Sequence, residues 1–415
     1  MKILLIQHLN FINGSGGTEK ICSFLANGFK QNNHEVEIAT NQNISGKPVF
    51  QLDPAIKITN IFSPNILQKE LKPIYNYKGK NPFFWLKHKI AKKSAKNFNK
   101  ALLREMSGDE ELYKFNLSQR AKAWETYILE AKPDVIITMS IGSLLEITYN
   151  NQLTIPIINS VNGRPDYDYT DILWYRSKTE MSLLQESYKN LSAIQVLFES
   201  YVDYLPATFS GKSYVVPNPV FQIGDDEIVL HSNNKERYKI ISIASLVASC
   251  KQQDIAISVF SKLAEKYPNW DLYFWGTGND NAMLQDQIDQ LNLQNRIFLM
   301  GFTDDPIGKL KDADVFIFPS KYEGFPLALS EAMSVGLPCL GFQSCSGVNE
   351  LIENEATGLL SNDSSEMQNH LERLITDSDL RALLGKTSHE FMKKFTSEFV
   401  LDKWLDLLHD VTKQN

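Results

Sequence analysis

The chain has 415 residues, 43% of them hydrophobic, enough for two or three domains with full cores. Its net charge of −7 excludes a general polyanion binder, although that charge is unevenly spread. The four cysteines, Cys22, Cys250, Cys339 and Cys345, lack paired metal-ligand spacing and sit in or beside apolar runs, so they read as reduced thiols.

The start, Met1 to Gln7, carries an apolar run too short for a signal-peptide core, and it predicts a first strand. No segment approaches the roughly 20 apolar residues that span a bilayer, so a cytoplasmic location is expected, with the inner membrane face open as a docking surface. Residues 1–40 read as strand Ile3 to Gln7, glycine-rich loop Asn13 to Gly17, helix Thr18 to Lys30 and strand Glu35 to Ala39, a βαβ opening. The glycine spacing does not fit a dinucleotide fingerprint, and Thr40-Asn-Gln-Asn43 lacks the acidic residue that would hold a ribose. NAD binding is therefore set aside.

Between Lys69 and Arg104 there are eleven Lys or Arg residues against a single acid, Glu70. Within this stretch Asn81-Pro-Phe-Phe-Trp-Leu-Lys-His-Lys-Ile90 opens a helix-like run whose Leu86, Ile90 and Phe98 keep roughly helical spacing. Two readings stand side by side: an interfacial helix on an anionic membrane, and a solvated helix that packs its aromatics on the domain. Nucleic acid is not expected, because nothing else in the chain supports it.

Strands then follow at Asp134 to Thr138, Ile155 to Asn159, Ala193 to Phe198 and Ser213 to Pro217. Phe221 to Arg237 is polar and turn-rich and reads as an interdomain linker. A second α/β series runs through Tyr238 to Ala244, Asp271 to Trp275, Arg296 to Met300, Asp314 to Phe318 and Pro338 to Phe342. The chain thus divides into an amino-terminal domain, 1–221, with a basic and aromatic insertion at 64–130, a carboxy-terminal domain, 222–396, and a last helix, 397–415.

The stretch Phe318 to Pro338 reads as strand, tight loop and helix. Pro326 suits a first helical turn, and Gly336 and Pro338 close the helix. Gly324 lets the backbone approach a ligand, and the free N–H groups of Phe325 to Ala328 form an anion site suited to a diphosphate. Glu323 and Glu331, eight positions apart, bracket that site. Carboxylates do not bind phosphate but accept hydrogen bonds from hydroxyls, so the pattern points to a nucleotide sugar. The pairs Asp166/Asp168 and Asp312/Asp314 have Asp-X-Asp spacing, yet no metal is expected: a helix N-terminus and a nearby cation already supply the charge a Mg²⁺ would bring.

These residues resemble the retaining glycosyltransferases of family 4, which share the GT-B fold of two doubly wound Rossmann-like domains facing each other across a cleft. The resemblance rests on Glu323 and Glu331 within Pro319-Ser-Lys-Tyr-Glu-Gly-Phe-Pro326, on Gly336-Leu-Pro338, Gly347-Val-Asn-Glu350 and Thr357-Gly-Leu-Leu360, and upstream on Val215-Val-Pro-Asn-Pro-Val220 and Gly16-Gly17-Thr18-Glu19. It implies a metal-independent, retaining transfer of a hexosyl or N-acetylhexosaminyl group from a nucleotide sugar, UDP favoured, to a lipid-linked, lipopolysaccharide or capsule glycan. It also implies that the last helix crosses back to the first domain.

By the same resemblance, Glu331 would hold the ribose, Glu323 the donor sugar and Lys251 the leaving phosphate. Gly324, Phe325, Pro326, Leu327, Ser245, Gly276, Gly278 and Phe302 would line the donor site, with the base beside Phe298 to Phe302. Gly16 and Gly17 would face the cleft on the acceptor side, with His8, Asn162 and Arg164 the nearby polar candidates. Two departures are visible: Ser245 stands where many members carry Arg, and no histidine lies between His88 and His231, where members carry a cleft histidine matching Val161 or Asn162. They motivate one alternative, a binding or scaffold subunit; a second, a sugar-nucleotide epimerase or hydrolase of the same fold, would use the donor site without an acceptor.

Overall fold

The computed structural model describes every residue except Trp174, Asn233, Gln414 and Asn415. Asn233 of the expected linker and the last two residues of the expected terminal helix therefore lie outside the described residues. Two parallel sheets organise the chain. The first holds β1 (Lys2–Ile6), β2 (Glu35–Thr40), β3 (Lys57–Asn60), β4 (Val135–Thr138), β5 (Ile157–Ser160), β6 (Ala193–Val196) and β7 (Lys212–Val215), in the order β3-β2-β1-β4-β5-β6-β7. The second holds β8 (Tyr238–Ile243), β9 (Trp270–Trp275), β10 (Ile297–Gly301), β11 (Val315–Phe318), β12 (Cys339–Phe342) and β13 (Leu359–Ser361), in the order β10-β9-β8-β11-β12-β13.

Helices cover both faces of a parallel sheet, so its central strands can be apolar throughout. Val135-Ile-Ile-Thr138 and Val315-Phe-Ile-Phe318 are buried at every position. Periodicity located these strands but missed β3 and β13. Lys57-Ile-Thr-Asn60 is a polar, largely exposed edge strand, and Leu359–Ser361 has only three residues.

In each sheet the order reverses once, between β1 and β4 and between β8 and β11. Adjacent loops leave the carboxyl ends of such strands in opposite directions and open a crevice between them. The segments that leave β1, β4, β8 and β11, each a loop running into the start of a helix, include His8 to Gly17, Met139 to Ser143, Ala244 to Lys251 and Pro319 to Pro326.

The domains are fastened at several places. The terminal helix Ser397–Thr412 buries Val400, Trp404, Leu407, Leu408 and Val411 in the core of the first sheet, with the Trp404 ring edge-on to Phe29 at 6.3 Å. Nearer the cleft, Phe198 of the first domain stacks on Phe325 of the second at 5.5 Å, and Phe325 meets Phe395 edge-on at 5.8 Å.

The basic stretch forms helix Pro82–Glu105, followed by helix Asp109–Ala131. Only Ala95 and Leu102 of the first are buried, while Phe83, Phe84 and Trp85 are exposed. The expectation that the aromatics pack on the domain is overturned, because this helix leans on the body only through its carboxy-terminal half. All four cysteines are free thiols.

Candidate active site

The helix Leu327–Ser334 follows β11 through a tight loop. Pro326 is its N-cap, one residue earlier than the first-turn place expected from sequence. Its far end is closed by Gly336, at φ +81°, with Gly336 N–H on Met333 O and Leu337 N–H on Ala332 O, both at 3.0 Å. The first-turn N–H groups have no acceptors within the helix, and the dipole places partial positive charge there.

Glu323 precedes that N-terminus and Glu331 lies in the second turn. Both are largely buried, and each meets a lysine. Lys251 Nζ donates to Glu323 Oε1 at 2.5 Å from the end of the short helix Ala248–Lys251. Burial alone would lower the Lys251 ammonium's pKa, but Glu323 outweighs it and the net direction is upward. Lys20 Nζ reaches Glu331 Oε1 at 2.6 Å from the opposite domain. Lys20 sits in the first turn of helix Gly17–Gln31, where the dipole disfavours a cation, so Glu331 compensates an unfavourable placement.

Sequence reading missed Lys20, although it directly follows the Gly16-Gly17-Thr18-Glu19 segment; its position three residues after Gly17 was the available signal. Gly17 itself faces the site helix: a methyl at its Cα would lie 3.4 Å from Leu327 Cδ1. Gly16 leaves room for Glu19, whose carboxylate receives Gln7 Nε2 at 2.5 Å.

The close approach expected at Gly324 is real, but its partner is protein. A Cβ there would stand 1.9 Å from the Asn162 carbonyl oxygen, so this glycine lets the two domains touch. Tyr201, also unsuspected from sequence, donates its hydroxyl to Gly324 O at 3.0 Å and accepts from Ser346 at 2.9 Å. Gly276 and Gly278 likewise serve main-chain packing: Cβ atoms there would meet Ala244 O and Leu246 O at 1.9 and 2.2 Å. They press the loop after β9 against the loop holding Ser245, whose carbonyl takes Gln253 Nε2 at 2.8 Å while the residue is exposed. Phe302, just past β10, is 69% exposed and free to receive a flat ring, whereas Phe298 is already stacked on Tyr273 at 4.9 Å.

On the first domain's side, His8 Nδ1 lies 2.9 Å from Ser143 Oγ. Burial holds its pKa below the ordinary value; Glu146 opposes this, and Arg120 and Arg176 reinforce it. His8 therefore favours the neutral imidazole, with its Nδ1 held on Ser143. Asn162 turns its amide onto Met139 O. Arg164 forms a two-pronged pair with Asp166, at 2.7 and 2.9 Å, beneath the rings of Tyr167 and Tyr204. Neither Asn162 nor Arg164 stands in for a histidine with a free ring nitrogen.

The Asp-X-Asp carboxylates are occupied too. Asp168 pairs with Arg176 at 2.8 Å, Asp314 with Lys235 at 2.6 Å, and Asp312 with Lys239. The one metal-type cluster among the described residues, Asp225, His389 and Glu390, belongs to other elements, and Lys393 already sits 2.6 Å from Asp225.

Two crevices thus face each other, with a helix N-terminus and two lysine–glutamate pairs between them. Residues 225–391 match the family model for glycosyl transferases group 1. The chain has the GT-B glycosyltransferase fold. It aligns with a structure of Staphylococcus aureus TarM, a mutant solved with Fondaparinux, alpha-GlcNAc-glycerol and UDP, at TM-score 0.71 and 16% identity, covering 98% of this chain and 99% of that one. A Haemophilus influenzae glycosyltransferase is 24% identical over 407 residues, 96% of this chain and 97% of the relative. An Escherichia coli UDP-Gal:alpha-D-GlcNAc-diphosphoundecaprenol alpha-1,3-galactosyltransferase is 37% identical over 123 residues, 29% of this chain and 32% of the relative.

Proposed function

We propose that the protein is a retaining, metal-independent glycosyltransferase. It moves a hexosyl or N-acetylhexosaminyl group from a nucleoside-diphosphate sugar, UDP favoured, to a lipid-linked, lipopolysaccharide or capsule glycan. The observation that carries this reading is the pairing of Glu323 and Glu331 with Lys251 and Lys20 around one helix N-terminus. Four charges gathered at the mouth of a crevice, two of each sign, suit a ligand that carries hydroxyls on both sides of a diphosphate. The bound UDP in the TarM structure and the sugar donor and acceptor in the E. coli relative's name support the ligand class.

In this reading the diphosphate settles on the N–H groups at Phe325 to Ala328. Lys251 turns from Glu323 to a phosphate oxygen, and Glu323 takes a hydroxyl of the donor sugar. Glu331 takes the ribose hydroxyls and releases Lys20 as a second cation, which offsets the absence of an arginine at Ser245. The base stacks against Phe302. The bond between the anomeric carbon and the phosphate oxygen breaks while the acceptor oxygen bonds to the same face. The acceptor proton passes to the departing phosphate, so no protein base is needed at Val161 or Asn162. Electrostatic stabilisation of the leaving group is the largest contribution such a site makes.

A thermal-shift screen against UDP, GDP, ADP, CMP and their sugars tests this, because a ligand that binds only the folded state raises Tm. One nucleoside diphosphate should stabilise the protein, and Glu331→Ala should abolish the shift. Silence from every nucleotide would remove the proposal, and binding without turnover on any acceptor would point instead to a scaffold subunit.

A further inference from the structure

We infer that the amino-terminal half of helix Pro82–Glu105 is a docking surface for an anionic lipid bilayer. This goes beyond the donor-site reading and does not rest on it. Every residue from Asn81 to Ile90 is exposed, yet the helix start is well made: Asn81 Oδ1 accepts from Phe83 N–H at 2.9 Å, and Pro82 follows the cap. Phe83, Leu86 and Ile90, spaced to share one face, are 72%, 52% and 63% exposed. An exposed apolar stripe on a well-capped helix is costly in water, so something covers it.

The neighbouring face identifies the cover. Lys89, Lys93, Lys96 and Lys100 follow one another at intervals of four, three and four, which lines them up beside the apolar stripe. Among the described residues none of these four has an ion-pair partner. Lys89 lies 4.7 Å over the half-exposed Trp85 ring, and Tyr77 stacks on His88 at 5.0 Å. Such a surface matches a bilayer: the aliphatic and phenyl groups enter the acyl boundary, the indole and phenol sit at headgroup level, and the lysines meet anionic headgroups. A second copy of this chain would set lysine face against lysine face. A nucleic acid would leave Leu86 and Ile90 uncovered. The remainder of the chain is net acidic, so attraction to an anionic surface is concentrated in this basic stretch.

Flotation of the full chain with vesicles tests the inference without nucleotide or turnover. The protein should float with phosphatidylcholine vesicles containing phosphatidylglycerol and stay behind with phosphatidylcholine alone. Each lysine near an anionic surface strengthens partition about fivefold, so the triple variant Lys89→Glu, Lys93→Glu, Lys96→Glu should weaken it at least about a hundredfold. Phe83→Ser with Leu86→Ser and Ile90→Ser should also abolish flotation. Both variants should keep the parent Tm, because every altered side chain is exposed. Flotation indifferent to phosphatidylglycerol, variants that float like the parent, or no flotation at all would overturn the inference. So would sedimentation showing a dimer that Ile90→Glu converts to monomer, since the stripe would then belong to a second copy.

Discussion

Replacing Lys251 with Met separates the two roles that the Lys251–Glu323 pair can play. The side chains are 21% and 10% exposed. Removing one partner of a buried pair costs about 3–5 kcal/mol, because the remaining charge is left unpaired. With about a fifth of Lys251 open to water we expect the lower end, about 3 kcal/mol. In a cooperative unit of about 150–250 residues that lowers Tm by about 6–12 °C. UDP at about a hundred times its Kd should add about 2.7 kcal/mol to the parent and almost nothing to Lys251→Met. The double variant Lys251→Met, Glu323→Gln removes the stranded carboxylate and should regain all but about 1 kcal/mol of stability, since replacing both members of a buried pair is close to neutral. It should not regain the UDP shift. Thermal melts of the four proteins with and without UDP, checked by turnover, decide the matter. If the double variant recovers the nucleotide shift, Lys251 only neutralises Glu323, and its assignment to the leaving phosphate is refuted.

Gly324→Ala should cost about 1–3 kcal/mol and most of the activity, because its Cβ would meet the Asn162 carbonyl at 1.9 Å and only a backbone shift relieves that; an unchanged Tm and rate would contradict the contact. Tyr201→Phe removes the hydroxyl that holds Gly324 O and Ser346, and should cost about 1 kcal/mol in a denaturant titration. His8 is depressed by burial, so its contribution to stability is present above the unfolded-chain value of about 6.5 and fades as pH falls below it. His8→Asn should accordingly flatten the acid limb of the stability profile by up to about 1.4 kcal/mol per pH unit, and an identical slope in both proteins would refute this. Activity should survive EDTA; a large loss restored by Mn²⁺ would remove the metal-independent mechanism.

Much of the fold was legible because parallel strands buried on both faces write themselves as apolar runs. Among the described residues eleven of the thirteen strands were located from the sequence, and the two missed, Lys57–Asn60 and Leu359–Ser361, are a polar edge and a three-residue strand with no run to find. Chain-local chemistry was equally clear: the strand–loop–helix pattern, the Gly336 stop and the two glutamates all lie within one stretch of sequence, with the helix start misplaced by one residue. Strand order was not, since nothing local says that β4 returns beside β1 or β11 beside β8, and those reversals decide which loops share a crevice. Partners separated by hundreds of residues were equally hidden. The Lys20–Glu331 bridge, the Asn162 carbonyl against Gly324 and the Tyr201 hydroxyl beneath it exist only because two domains meet. The basic helix shows the same division: its charge and aromatics were plain in the sequence, but only tertiary packing decided that its first turns face outward, because burial is set by what the rest of the chain leaves uncovered.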